Sequence, residues 1–323
     1  MRRRDILALA AGAAAWPTAG RADDEYPSRP VRIIVPVSVG GATDGLAHLL
    51  AQKLSERMRS SVVVENKSGA GSIIGTSFVA KSPADGYTLL MGGLFNMVMI
   101  TALLKDPPFD PPRDFTAAGY LAAYPFVVIV RHDLPVATLA EFAAYAKTRP
   151  GKLSYASGGL GTLQHVWGTI LLRSLGLELL HIPYKGATPA LADLIGGRVD
   201  FIFDNLAACR GAIDAGQVKA LAVSSAARTG PFPNLPTIDE SGIARFEGES
   251  WFGLFAPAGT PQPVIDRLRR EVAAVAAEPD FGAYVARDAG RLLTVPPDRQ
   301  EQFLKDELAR WSALIAKYDV HAQ

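Results

Sequence analysis

Apolar runs rich in β-branched residues recur along the chain, and most are followed by stretches whose apolar positions lie three and four apart. Arg32–Val37, Val62–Glu65, Tyr87–Met91, Phe126–Val130, Leu153–Ala156, Leu179–Tyr184, Asp200–Phe203 and Val218–Ser224 read as strands. Most are apolar throughout rather than alternating, which suits strands covered on both faces, so the pattern predicts an α/β chain with largely parallel sheets. Leu46, Leu49, Leu50 and Leu54 share one helical face. Thr138-Leu139-Ala140-Glu141 reads as a capping box, and Thr188-Pro189 as the N-cap and first residue of a short helix that Gly196-Gly197 ends. From about Pro261 the pattern changes. Val264, Leu268, Val272 and Val275, then Phe303, Leu304, Leu308, Trp311 and Ile315, describe two amphipathic helices without a sheet of their own. They must pack on an earlier sheet, with a short strand at Phe252–Phe255 carrying the chain back. A discontinuous first domain, residues 23–124 plus 252–323, is therefore expected around a second at 125–251, joined by two crossings that make a hinge.

The first 22 residues stand apart. Arg2, Arg3 and Arg4 precede a short apolar run from Ile6 to Ala11, and Gly20-Arg21-Ala22 offers a cleavage point. An export signal is expected, by the Sec or the twin-arginine route, with the mature protein in the periplasm. Removing it leaves 29 basic against 31 acidic residues, which is no footprint for nucleic acid. The single cysteine, Cys209, cannot form an internal disulfide and reads as a small buried residue. No later apolar run approaches the roughly 20 residues of a membrane span.

Glycine-rich turns mark where strands give way to helices. Gly69-Ala70-Gly71-Ser72-Ile73-Ile74-Gly75 invites comparison with a dinucleotide fingerprint, but Glu65-Asn66-Lys67-Ser68 intervene, and the next strand ends in Gly92-Gly93-Leu94-Phe95-Asn96 with no carboxylate for a ribose. A structural turn is expected there. Two other turns, Ser38-Val39-Gly40-Gly41-Ala42-Thr43-Asp44 and Ser157-Gly158-Gly159-Leu160-Gly161-Thr162, offer backbone amides and the positive end of a helix dipole to an anion. They lie beyond strand carboxyl ends, the edge at which open α/β sheets bind ligands. His165, in the helix after the second turn, is a candidate to face the cleft. Asp204-Asn205 closes another strand at the same edge, either as a helix cap or as partner to a cationic or hydroxyl group of a ligand. Gly-x-Ser-x-Gly elbows, Walker lysines and metal-ligand spacings of histidine are missing, so an enzyme would need a nucleophile–base pair that the sequence does not offer, and no cofactor or metal is expected.

Further segments fall into an ordered series: Tyr26-Pro27-Ser28-Arg29-Pro30-Val31-Arg32-Ile33-Ile34-Val35-Pro36, Gly40-Gly41-Ala42-Thr43-Asp44, Val64-Glu65-Asn66 with Gly69-Ala70-Gly71, and Ala80-Lys81-Ser82-Pro83-Ala84-Asp85-Gly86-Tyr87. Pro150-Gly151-Lys152-Leu153-Ser154-Tyr155, Pro183-Tyr184-Lys185-Gly186, Asp193-Leu194-Ile195-Gly196-Gly197, Phe203-Asp204-Asn205 and Ala256-Pro257-Ala258-Gly259-Thr260-Pro261 continue it. In order and spacing the series resembles the periplasmic solute receptors of tripartite tricarboxylate transporters, the Bug-type receptors, over nearly all of the mature length. The resemblance implies an α/β, two-lobed periplasmic binding protein of the type II, Venus-flytrap kind, each lobe a mostly parallel sheet flanked by helices. It implies a non-enzymatic monomer that holds a small organic acid between its lobes, partly through ordered water, and delivers it to membrane transporter subunits; a membrane sensor is the alternative partner. By the same resemblance Ser38, Val39, Gly40, Gly41 and Asp44 line one wall of the ligand site, and Gly158, Gly159, Gly161, Thr162, His165, Asp204 and Asn205 the other. The chain departs from the family pattern at Ser38-Val39, where prolines are usual, at His48 for arginine, Ser68 for proline and Ile73 for asparagine, and across the apolar stretch Gly93–Met99. These departures point to a larger or more apolar acid.

Overall fold

A computed structural model describes residues 26–321, so the expected export signal at residues 1–22 lies outside the described residues. The elements run β1 (Val31–Val35), α1 (Ala42–Met58), β2 (Val62–Asn66), α2 (Ile73–Ala80) and β3 (Thr88–Gly93), then the single turns α3 (Ile100–Leu103) and α4 (Pro111–Asp114). The 17-residue strand β4 (Phe115–Arg131) leads to α5 (Leu139–Lys147), β5 (Ser154–Ser157), α6 (Leu163–Ser174), β6 (Leu180–Pro183), α7 (Ala187–Ile195), β7 (Phe201–Asn205), α8 (Leu206–Asp214) and β8 (Val218–Val223). Then come β9 (Glu249–Pro257), α9 (Gln262–Ala276), α10 (Pro279–Arg287), β10 (Arg291–Leu292) and α11 (Gln300–Lys317).

Strand order is β2-β1-β3-β9-β4-β7-β5-β6, with β8 and β10 also pairing β4. β1 pairs in parallel with β2 and β3, and β5 with β6 and β7; every antiparallel pairing involves β4 or β9. The sequence pattern placed only Phe126–Val130 and Phe252–Phe255 of these two long strands. The rest of β4 is rich in alanine and carries Gly119 and Pro125, a composition low in β-branched residues that hides a strand. β4 pairs with β9 through Phe115–Pro125 and with β7 through Phe126–Val130, so its partner changes within one residue. The strands on the β9 side form a first half and those on the β7 side a second. The return crossing is clamped beside the first: Ser224 accepts from the Phe126 amide at 2.8 Å and donates to the Gly248 carbonyl at 2.5 Å, while its own backbone bonds both residues.

Helices cover both faces. Leu46, Leu50 and Leu54 of α1 are buried with Leu268, Val272 and Val275 of α9 against Ile33, Leu89 and Leu254. The C-terminal helices thus pack on the first half. α10, with only Phe281 and Val285 buried, carries too few apolar turns to stand out in the sequence. Trp311 of α11 stacks on Trp167 of α6 at 5.1 Å between centroids, so one aromatic core spans the junction. Cys209 is buried, as expected.

Local signals hold with two shifts. Thr138 Oγ1 accepts from the Glu141 amide at 3.1 Å, but Glu141 reaches back to the amide of Ala137 rather than of Thr138. α7 begins at Ala187 and not after Thr188: its N-cap is Gly186, with φ of +117°, which leaves Thr188 and Pro189 inside the first turn. The Gly186 amide donates to the Gly158 carbonyl, and that tether starts the helix early.

Candidate functional site

The strand ends meet at one line. Gly93, the last residue of β3, lies opposite Phe252 of β9, which lies opposite Ala122 of β4; Asn205, the last residue of β7, lies opposite Phe126. Two antiparallel steps make β3 run with β4, whereas β7 runs against it. The carboxyl ends of the two halves therefore point at each other across residues 122–126, about 13 Å apart along β4. The expected loops after β1 and β5 leave these two opposed edges.

In the first loop, Ser38, Val39, Gly40 and Gly41 are exposed, whereas Asp44 is 4% exposed and turned inward. Its Oδ2 accepts from the Gly40 amide at 2.9 Å and its Oδ1 from Asn66 Nδ2 at 2.7 Å, and the same Asn66 nitrogen donates to the Val37 carbonyl. Burial alone would raise this carboxyl, but the Gly40 and Asn66 donors and nearby His48 outweigh it and hold the pKa below the ordinary aspartate value. Asp44 shapes the loop from beneath. Asn66, which sequence reasoning placed just after a strand and gave no role at the site, is the second half of that support. α1 starts after Gly41 with no side-chain cap, and the amides of Ala42, Thr43 and Asp44 have no partner among the described residues.

The second loop is closed by its own side chains. Gly159 and Gly161 have φ of +128° and +76°, a region that favours glycine. Thr162 caps α6: its Oγ1 accepts from the His165 amide at 3.3 Å and donates to the Gly159 carbonyl at 2.7 Å. The Gly158 amide donates to Gln164 Oε1, the Gly159 amide to Ser157 Oγ at 3.2 Å and the Gly161 amide to His165 Nδ1 at 3.2 Å. The glycine amides expected to meet a ligand are thus committed internally, because Ser157, Gln164 and His165 fold back over the turn. The amides of Leu160, Leu163 and Gln164 are the ones without a partner among the described residues. Gly161→Val forces a β-branched residue into the left-handed region, and it should lower stability by about 1–3 kcal/mol in urea unfolding; an unchanged midpoint would show that the turn accepts another conformation.

His165 is 7% exposed and stacks on His181 at 4.6 Å, which stacks on Tyr155 at 4.5 Å. Burial, with His165 as neighbour, pushes His181 down to about 4; burial and then Arg173 lower His165. Both rings are neutral at neutral pH, so neither supplies a fixed cation. His165 and His181 border a cavity of about 650 Å³ that runs along α6 to Arg173 and His321. Ser157 Oγ lies 2.8 Å from His181 Nε2, a contact that resembles a nucleophile and its base. Ser157 is completely buried and also bonds the Gly159 amide and carbonyl, and no carboxylate orients His181 among the described residues, so the pair supports the loop.

Asp204 is 4% exposed; its Oδ1 accepts from the Asn205 amide at 2.6 Å, and its Oδ2 is without a partner among the described residues. Burial raises its pKa to about 6. The Gln164 carboxamide beside it acts in the opposite direction, although Gln164 Nε2 too lacks a partner of normal hydrogen-bond geometry. Asn205 takes the capping role, its Oδ1 accepting from the Ala207 amide at 2.9 Å. Gln164 is a residue the sequence reading missed, hidden one place before the more conspicuous His165.

Gly69, Ala70, Gly71 and Ser72 all have positive φ, and the Ile73 and Ile74 amides close back on Ala70 and Gly69, so this stretch is the structural turn expected. It delivers Ser72 to a recess of about 150 Å³ at the strand ends of the first half, where Val37, Met91, Phe95 and Phe252 also stand. Of the apolar stretch Gly93–Met99, only Gly93, Phe95 and Asn96 border this recess; Met97, Val98 and Met99 are buried in the core, within a π-helical turn.

Residues 46–320 match the family described as the tripartite tricarboxylate transporter family receptor. The chain belongs to this family. The UPF0065 protein in the tcbD-tcbE intergenic region of Pseudomonas sp. (strain P51) is 37% identical over 322 residues, spanning 99% of this chain and 96% of that one. The periplasmic binding protein BugD is 38% identical with a TM-score of 0.79, covering 92% of this chain and 99% of its own. The R. palustris protein Rpa4515, solved with adipate, is 35% identical with a TM-score of 0.82, covering 92% and 99%. Receptors of this family are periplasmic solute-binding proteins, and the two-lobed α/β fold of this chain is theirs. Among the described residues no helix is long and apolar enough to cross a membrane.

Proposed function

We propose that this receptor captures a small organic carboxylate between its opposed strand ends and delivers it to a membrane transporter of the tripartite tricarboxylate kind. The carrying observation is the convergence of β3 and β7 on residues 122–126 of β4, which sets the uncapped start of α1 and the start of α6 on facing edges. Unpartnered amides at two helix starts hold a carboxylate through directed donors and dipole without a buried cation. The adipate in the R. palustris relative supports the ligand class. On this reading residues 23–124 plus 252–323 form one lobe and 125–251 the other, they close about the Phe126–Ser224–Gly248 clamp, and the mature protein works in the periplasm after loss of residues 1–22.

A ligand that binds only the folded state stabilises it by about 2.7 kcal/mol at 100 times its dissociation constant. A thermal-shift screen of mono- and dicarboxylates, aromatic acids, amino acids, sugars and nucleotides should therefore raise the midpoint with at least one acid. A rise with sugars or nucleotides alone would overturn the carboxylate reading.

A further inference from the structure

The recess in the first half carries the ligand question further, on the reading that the ligand is a carboxylate. It lies on the line where the halves meet: Ser250, on its border, is opposite Tyr124 of β4. Its volume of about 150 Å³ is that of an apolar cavity able to take a benzene ring. Pro36, Val37, Met91, Phe95 and Phe252 give it mostly apolar walls, broken by the hydroxyl residues Thr43, Ser72 and Ser250, and no charged side chain borders it. The one carboxamide present, Asn96, is held by two hydrogen bonds, its Oδ1 accepting from the Gly93 amide at 2.8 Å and its Nδ2 donating to Thr76 Oγ1 at 3.0 Å. A second carboxylate placed here would lose its water and meet no counter-charge, which disfavours a dicarboxylate in this position. An aromatic ring would instead meet the rings of Phe95 and Phe252, which are only half-buried.

The acid head has its place next to the ring. Thr43 borders the recess and is also one of the residues at the start of α1 whose amides lack a partner among the described residues. Gly93 keeps the space open. A Cβ there would come within 2.9 Å of Cδ1 of Phe252 and of the Trp251 carbonyl, so any side chain would displace the ring that forms the wall. We propose that the receptor selects aromatic monocarboxylates, the ring seated against Phe95 and Phe252 in the first half and the carboxylate shared between the start of α1 and the facing start of α6.

The test is calorimetric titration of the mature protein, unfolded and refolded to strip any carried ligand, with benzoate, phenylacetate, malate and adipate. At least one aromatic acid should bind roughly tenfold or more tightly than either dicarboxylate. Phe252→Ala should weaken the aromatic acid by about tenfold or more while changing any adipate binding by less than about threefold. Val37→Phe, which fills the recess from the loop side, gives a second variant should Phe252→Ala not fold, and it should abolish the aromatic preference. Tighter binding of malate or adipate than of both aromatic acids, or equal losses for both classes in these variants, would overturn the aromatic assignment and leave the carboxylate reading standing. Binding of none of the four acids, with a sugar or nucleotide binding instead, would overturn both.

Discussion

Trp167→Ala will lower the free energy of unfolding by about 3–5 kcal/mol, the range for deleting a large buried aromatic. Trp167 is completely buried. Its indole stacks on Trp311 and lies edge-on to Phe126 at 4.5 Å and Phe246 at 5.7 Å. Those partners come from α11, from the point where β4 changes neighbours, and from the return crossing. A void there cannot collapse without moving the junction between the halves. The indole nitrogen has no hydrogen-bond partner among the described residues, so its removal gives back a little of what the lost packing costs. Urea unfolding followed by circular dichroism measures the difference, and a loss under about 1 kcal/mol would show that the aromatic stack at the junction is loose. Combining the variant with Trp311→Ala should cost less than the two separate losses added together, because the two rings share one contact.

Asp204→Asn will stabilise the protein increasingly as pH rises. Because burial raises the carboxyl from 3.8 to about 6, the folded state holds a proton that the unfolded chain releases earlier. Stability from this group is complete below the unfolded pKa and is lost as pH rises through the folded one. The loss amounts to about 3 kcal/mol over the whole window, of which about 2 falls between roughly pH 4.5 and 7.5. Asparagine keeps the oxygen that accepts from the Asn205 amide and removes the ionisation. His181 acts in the opposite sense: its pKa is lowered to about 4, so its contribution is lost as pH falls. The two windows overlap, so the parent protein's own pH profile hides both, and the difference between parent and variant isolates Asp204. A difference that stays constant across that range would mean that the buried carboxyl titrates normally.

Much of this architecture was legible in the chain. Period-three-and-four patterns located α1, α9 and α11, because each buries a full apolar stripe, and β-branched runs located the parallel strands. The first two-thirds of β4 was not legible, since alanines, a glycine and a proline carry no strand signal and only pairing with β9 makes them extended. The glycine loops were found in the right place, but the use of their amides was not. Whether an amide faces a ligand or its own neighbour depends on rotamers of Ser157, Gln164 and His165, which no spacing rule encodes. Asp44 shows the same limit: its position in the loop was visible, its inward turn towards Asn66 was not. The recess was foreshadowed by the apolar residues after β3, yet most of those, Met97 to Met99, fill the core, and Phe252 and Ser250 reach it from a strand some 150 residues away in sequence.

On the function proposed above, one ligand engages both halves at their facing strand ends. Hydrogen–deuterium exchange of the mature protein, with and without the acid that raises the melting midpoint most, tests it directly. Exchange should slow in residues 38–45 and in residues 158–166 together, with the amides around Asp204 following. Slowed exchange in one of these segments alone, or in neither, would contradict it.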